Sequence, residues 1–189
     1  MFEERYISPK KLYDYIVNLD KSINVKIIGK SVQKRSIYRL KIGSGSKIIL
    51  LWSQMHGNET TTTKALFDFI PWLTSKSNKE YIKSFTFYII PQLNPDGAEL
   101  YTRNNFNDVD LNRDAIKLSQ PESKCLINLY NEINPDFCFN LHGQRTIYSV
   151  GDSEKSAVIS FLAPSIGYKN KINKAREKSI LLIVSLFNE

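Results

Sequence analysis

The chain's two histidines are the residues best suited to metal chemistry. His56 stands three residues before Glu59, and His142 follows the apolar run Phe137–Leu141 far downstream. A lone histidine is usually an ordinary polar residue, but here both follow apolar runs, which favours a shared role. A histidine and a carboxylate three residues apart can face one ion where a loop enters a helix. Zinc binds such ligands and keeps a fourth position for water, so the pattern predicts a zinc site formed by His56, Glu59 and His142.

The elements that must position these residues are apolar strands alternating with helices. Continuous apolar runs are typical of strands buried on both faces, and apolar residues at helical spacing indicate helices. The predicted strands are Val25–Ile28, Ile37–Ile42, Lys47–Trp52, Ser84–Ile90 and Phe137–Leu141, and the predicted helices are Ser8–Leu19, Glu59–Leu73, Pro121–Ile133 and Lys171–Phe187. The stretch from Pro91 to about Gln120 is predicted to be loop. The fold class is α/β, with a mixed, largely parallel central sheet flanked by helices.

Three of the predicted strands end in loops rich in polar groups. The sequences SQMHGNE, PQLNPDG and HGQR follow them in chain order. Ligands of open α/β sheets collect beyond the carboxyl ends of the strands. We therefore expect these loops to form one site.

The sequence resembles the zinc carboxypeptidase family of metallopeptidases. The resemblance rests on three ordered motifs, His56-Gly57-Asn58-Glu59, then Asn94-Pro95-Asp96-Gly97 with Arg103 and Asp110-Leu111-Asn112-Arg113, then the strand before His142. It covers about residues 31–143 and implies a zinc carboxypeptidase-like fold. It also implies one zinc per chain and hydrolytic removal of C-terminal residues from peptides by zinc-activated water.

Carried over residue by residue, the resemblance implies further roles. Asp110 would accept a hydrogen bond from the first histidine, and Arg103 would polarise the scissile carbonyl. Asn112 and Arg113 would hold the terminal carboxylate of the substrate. Taken alone, Asp110 and Arg113 would be an ordinary surface ion pair. Asp96 and Gly97 are predicted to form a turn rather than to bind a ligand.

One part of the family pattern is not matched. The family uses a late glutamate on a strand as general base, together with a substrate-contacting tyrosine. The candidates after His142 are Glu154, Glu177, Glu189, Tyr148 and Tyr168, and none has a matching context. The sequence therefore predicts a single domain over residues 1–189 that stops early and is incomplete at its C-terminal end. We expect it to bind zinc with little or no peptidase turnover alone.

Other functions remain open. The HGNE and DLNR motifs are also similar to those of zinc deacylases such as succinylglutamate desuccinylases and aspartoacylases, whose substrate would be an N-acyl amino acid with a free carboxylate. A murein-peptide amidase and a non-catalytic zinc-binding module are further alternatives. The sequence does not indicate an oligomeric state.

Composition narrows the partners and the location. The formal net charge is +7, but the 26 basic residues are scattered, which argues against nucleic acid as a partner. No apolar run is long enough to cross a membrane and the N-terminus does not resemble a secretory signal, so we expect a cytoplasmic protein. Cys125 and Cys138 lie in apolar segments and are predicted to be small buried hydrophobic residues.

Overall fold

The computed structural model describes residues 6–143 together with Glu177 and Leu181. Residues 1–143 form one compact unit and residues 144–189 a second. Glu177 and Leu181 are helical and exposed. Apart from these two positions, the predicted helix Lys171–Phe187 lies outside the described residues, as do Glu154, Glu189, Tyr148 and Tyr168.

Residues 6–143 alternate between strands and helices, as the sequence predicts. In chain order the elements are α1 (Pro9–Ile16), β1 (Asn24–Lys30), β2 (Ser36–Ile42), β3 (Lys47–Ser53), α2 (Thr60–Thr74), a 3₁₀ turn (Lys76–Asn78), α3 (Lys79–Ser84), β4 (Phe85–Ile90), α4 (Pro95–Leu100), α5 (Leu111–Asp114), α6 (Pro121–Ile133) and β5 (Phe137–Leu141). None of the described helices is long and apolar enough to cross a membrane.

The five strands form one mixed sheet in the order β1-β2-β4-β3-β5. β3 lies between β4 and β5 and is parallel to both. β1 and β2 are antiparallel, since only a short loop joins them, and β2 is also antiparallel to β4. The predicted mixed α/β fold is thus confirmed, with its parallel part made of the three strands that precede the polar loops.

Two apolar clusters stabilise the sheet. One joins α1 and α2 to sheet residues such as Leu40 and Ile89, and the other joins α6 to Leu50 and Ile90. Ile89 and Ile90 are consecutive in β4, so their side chains point to opposite faces of the sheet. Helices therefore cover both faces of the central strands, and this rigid sheet positions the loops at its carboxyl edge.

The prediction that residues 91–120 are loop is wrong in two places. α4 begins at Pro95, and the side chain of Asn94 caps it by accepting a hydrogen bond from the Gly97 N–H at 2.8 Å. α5 begins after Asp110, whose side chain accepts from the Asn112 N–H. The residues that favour turns also favour helix starts, and these helices are too short to show helical periodicity. α3 was missed for the same reason.

The prediction of two buried cysteines is correct for Cys125 and wrong for Cys138, which is exposed. Cys138 lies on β5 and lines an apolar cavity of about 230 Å³, together with Leu50 and Trp52 of β3 and residues of α6. Its side chain therefore borders open space instead of packing into the core.

A buried carboxylate at the end of α5 gives a stability prediction. Asp114 is 3% exposed and accepts hydrogen bonds from the Ser119 N–H and hydroxyl and from the Gln120 N–H at 2.6–2.9 Å. Burial alone would raise the pKa of Asp114, but these donors outweigh it and lower the pKa to about 2. Because the folded pKa lies below the unfolded one, the stabilisation is present above about pH 4 and is lost as the pH falls towards 2.

We expect Asp114→Asn to lower the free energy of unfolding by about 1–3 kcal/mol at pH 7, because an amide N–H₂ would face a backbone N–H. Urea denaturation from pH 7 to pH 2.5 checks this, and the difference from wild type should shrink at the acid end. The exposed Asp68→Asn is the control and should change stability by less than about 0.5 kcal/mol. A pH-independent difference would contradict the assignment.

Candidate metal centre

The loop after β3 carries the first two predicted ligands. It runs from Gln54 to Glu59, the residue before α2, and we call it the metal loop. Gly57 is required here, because a Cβ on it would lie 1.9 Å from the backbone carbon of Gly97 in α4. The Gly57 N–H also donates to the carbonyl of Arg103 at 3.3 Å. The metal loop is therefore seated directly on the NPDG segment.

The structure brings His56, Glu59 and His142 together. One ligand atom from each lies within 4.8 Å of the others, and the two imidazole centroids are also 4.8 Å apart. Glu59 joins the two rings, because Oε1 lies 2.9 Å from His56 Nδ1 and Oε2 lies 3.1 Å from His142 Nδ1. The Gly143 N–H donates to Oε2 at 2.9 Å. His56 and His142, 86 positions apart in sequence, thus share one carboxylate.

The charge of Glu59 is fixed by this environment. Burial by itself would raise the pKa of Glu59, but hydrogen bonds from His142, His56 and the Gly143 N–H outweigh it and lower the pKa to about 2. The carboxylate is therefore ionised at every physiological pH. An ionised carboxylate beside two imidazoles is a donor set that suits zinc.

The partners of the two His56 ring nitrogens show whether a cation fits the site. Its Nε2 lies 3.1 Å from Asp110 Oδ1, and an ionised carboxylate only accepts, so this nitrogen carries a proton. Its Nδ1 then turns towards Glu59 Oε1. Positive charge is therefore needed between this nitrogen and Glu59 Oε1, 2.9 Å apart: without a metal a second ring proton makes the hydrogen bond to Glu59, and a metal ion takes the place of that proton. The residues present therefore fit a divalent cation held by His56, Glu59 and His142.

Asp110 also holds the predicted carbonyl-polarising arginine. Arg103 donates from Nε and Nη2 to Asp110 Oδ2 at 3.2 and 3.1 Å, and its Nη1 lies 3.6 Å from Glu59 Oε1. Burial alone would raise the pKa of Asp110, but hydrogen bonds from His56 and Arg103 lower it. Arg103 is 49% exposed, so its guanidinium lies at the cluster and is reachable from solvent.

The predicted carboxylate clamp lies outside the metal cluster. Asn112 and Arg113 are exposed on α5, which Asp110 caps. Within residues 6–143 their side chains make no hydrogen bond or ion pair with the protein, so both remain available to a ligand. They follow Asp110, which caps α5 and contacts His56, by two and three residues.

Two features in and beside the site were not expected from the sequence. The Gly143 N–H was not foreseen as a partner of Glu59, because backbone donors leave no mark in residue type. Asp96 was predicted to form a turn, but it is fully buried in the first turn of α4. Its neighbour Asn94 donates from Nδ2 to the Met55 carbonyl in the metal loop at 3.3 Å.

Asp110→Asn should weaken zinc binding about 10- to 100-fold, because the carboxylate that fixes the His56 tautomer is lost. Competition titration with a chelator measures this. Asp108→Asn is the matched control, since Asp108 lies in the same loop and its side chain contacts only Asn104 among the described residues. Equal zinc affinity for both variants would contradict the role of Asp110.

Two curated carboxypeptidases are similar to the chain in sequence. Carboxypeptidase SOL1 of Arabidopsis thaliana is 26% identical over 155 residues, covering 71% of this chain and 32% of that protein. Carboxypeptidase M of Mus musculus is 30% identical over 150 residues, covering 65% of this chain and 34% of that protein. The chain therefore spans about a third of the length of these curated relatives.

The fold recurs in solved structures. A metallo-carboxypeptidase from Burkholderia cenocepacia matches with a TM-score of 0.67 at 20% sequence identity, over 74% of this chain and 42% of that chain. A metallo-carboxypeptidase from Pseudomonas aeruginosa matches with a TM-score of 0.63 at 21% identity, over 74% of this chain and 40% of that one.

The fold and the cluster together define the class, a mixed α/β domain with a possible His–Glu–His metal site. The family model described as zinc carboxypeptidase matches residues 12–115, more than half of the chain. This chain belongs to the zinc carboxypeptidase family.

Proposed function

We propose that this chain supplies the zinc-binding and carboxylate-recognising part of a metallo-carboxypeptidase, a hydrolase that removes C-terminal residues from peptides. The observation that carries the proposal is the convergence of His56, Glu59 and His142, with Arg103 beside them. The proposed ligand is a peptide with a free C-terminal carboxylate.

The proposed chemistry divides among the residues of the site. Zinc held by the two imidazoles and Glu59 would lower the pKa of a water and polarise a carbonyl. Arg103 points Nη1 towards the cluster and would donate to the carbonyl oxygen as negative charge develops on it. Asp110 keeps both His56 and Arg103 oriented.

Recognition of the chain end is assigned to α5. A planar guanidinium grips a carboxylate by two parallel hydrogen bonds, and Arg113 is exposed and has no such partner within residues 6–143. Asn112 can add a donor from its amide. A peptide held there would present its last peptide bond towards Arg103.

The general base is the part of the mechanism that the described residues do not provide. Within residues 6–143 the hydrogen bonds and ion pairs of the cluster involve two carboxylates, Glu59 and Asp110, and both are engaged with the histidines. Glu177 is exposed on a helix in the second unit. Zinc binding with little peptidase turnover by the 189-residue chain stays a prediction of the sequence, since Glu154 and Glu189 lie outside the described residues.

The test compares three ligands on the purified, zinc-loaded chain: a peptide with a free C-terminus, its C-terminal amide and an N-acyl amino acid. We expect binding of the free acid to exceed that of the amide by about tenfold or more, since one charge-assisted hydrogen-bonded pair is lost. Equal binding of acid and amide would refute carboxylate recognition. Hydrolysis of the N-acyl amino acid in preference to the peptide would favour a deacylase, and rapid release of C-terminal residues would contradict the low turnover.

The cytoplasmic location stays a prediction of the sequence. The oligomeric state is likewise open, and light scattering of the purified chain would establish it.

A further inference from the structure

The helix α4 lies between the loop that joins β1 to β2, residues 31–35, and the metal loop. Its residues Asp96 and Gly97 face these two neighbours, as the contacts of each show. The zinc chemistry proposed above uses neither residue.

Asp96 is 0% exposed and is held entirely by the loop of residues 31–35. Its Oδ1 accepts hydrogen bonds from the Ser31 hydroxyl at 2.8 Å and from Arg35 Nη1 at 2.7 Å, and its Oδ2 accepts from the Gln33 N–H at 2.9 Å. Ser31 Oγ also accepts from the Arg35 N–H, which closes the loop around the carboxylate. A buried carboxylate needs such donors, because an unpaired one is strongly disfavoured.

The other contacts of α4 reach the metal loop. Asn94 caps α4 at Gly97, donates to the Met55 carbonyl at 3.3 Å, and its own N–H donates to the Gln54 carbonyl at 3.1 Å. Gly57 lies so close to Gly97 that no Cβ fits between them. A displacement of α4 would therefore move the backbone on both sides of His56.

We propose that Asp96 is a positioning residue for the metal loop: by fixing α4 to the loop of residues 31–35, it holds the backbone around His56 in the conformation that binds zinc. This inference rests on the proposed zinc site. It assigns to the NPDG segment a role through Asn94 and Gly97 rather than a contact with zinc or substrate.

The expected size follows from the fraction of molecules in the binding conformation. The apparent dissociation constant rises in inverse proportion to the fraction that is competent. If loss of the Asp96 carboxylate leaves about one molecule in ten with a correctly placed metal loop, zinc binds about tenfold more weakly. The ligand atoms themselves are unchanged, so zinc still binds at the same three residues.

The experiment titrates zinc into wild type, Asp96→Asn and Leu73→Ala, and records the visible spectrum of the cobalt-substituted forms. Leu73 is fully buried in the apolar cluster that joins α1 and α2 to the sheet, and no residue of the metal loop belongs to that cluster. Its variant should therefore lose stability while the metal loop keeps its position. We expect Asp96→Asn to weaken zinc binding about tenfold but to match the wild-type cobalt spectrum at saturation, because the same three ligands hold the ion, with Leu73→Ala close to wild type in both. Asp96→Asn within about twofold of wild type, or the same weakening in Leu73→Ala, would overturn the proposal.

Two further variants complete the design. Arg35→Gln removes only the charged donor to Asp96, and the Arg35 side chain is 35% exposed, so this variant should fold. It tests the positioning role if Asp96→Asn fails to fold. It should weaken zinc binding in the same direction, and unchanged affinity would count against positioning. His142→Ala in the same titration separates the two proposals. If it binds zinc as wild type does, the zinc site itself is wrong. If it loses zinc while Asp96→Asn and Arg35→Gln do not, only the positioning role is wrong.

Discussion

His142→Ala is expected to bind zinc at least about 100-fold more weakly than wild type. Loss of an outer hydrogen-bond partner alone costs about 10- to 100-fold, and loss of a ligand should exceed this. The chain has only two histidines, so no third imidazole can replace the missing one. Competition with a chelator of known affinity measures the change.

The fold should survive this substitution. The His142 side chain is 32% exposed and belongs to neither apolar cluster, and Glu59 keeps its bond from the Gly143 N–H. Circular dichroism should therefore match wild type. Arg113→Ala is the matched control, since the exposed Arg113 makes no hydrogen bond or ion pair with the described residues of the metal cluster and its variant should keep full zinc affinity. Undiminished zinc binding by folded His142→Ala would refute the assignment of this ligand.

The second large effect is expected at the carboxylate clamp. Arg113→Ala should weaken binding of a peptide with a free C-terminus by about 1.5–3 kcal/mol, roughly 10- to 150-fold, because a charge-assisted pair is lost. Arg113→Lys should fall between wild type and alanine, since it keeps the charge but loses the planar fork. Calorimetric titration of the zinc-loaded variants checks both.

The specificity of this effect provides its control. The C-terminal amide of the same peptide should bind wild type and Arg113→Ala equally, because no carboxylate is present. The clamp assignment would be wrong if Arg113→Ala weakened both ligands alike, or neither. Together the two substitutions should separate zinc binding from carboxylate binding, each lost in one variant and kept in the other.

The parts of the fold that could be predicted are those with strong periodicity. β3 was predicted as Lys47–Trp52 and observed as Lys47–Ser53, and α6 was predicted with the correct bounds. A strand whose side chains pack on both faces of the sheet carries an apolar run, and a long helix repeats its apolar face several times. α4 and α5 have six and four residues, and their starts are fixed by capping side chains that also favour turns.

The candidate site, too, has a part that the sequence could predict and a part that depends on packing. The sequence was enough to predict the cluster of His56, Glu59 and His142, because parallel strands end at a common edge of the sheet. The burial of Asp96 could not be predicted, since its partners lie in a loop more than 60 positions earlier. Their contact depends on how α4 packs. The exposure of Cys138 depends in the same way on packing around a cavity that residue type does not encode.

X-ray absorption spectroscopy of the zinc-loaded chain tests the central claim most directly, because it reports the atoms bound to the metal. We expect two imidazole nitrogens and additional oxygen donors at about 2.0–2.2 Å, with no sulfur. His142→Ala, loaded with excess zinc, should show at most one imidazole. A sulfur donor at about 2.3 Å, which would place the ion at Cys125 or Cys138, or a wild-type spectrum with fewer than two imidazoles, would contradict a zinc site built from His56, Glu59 and His142.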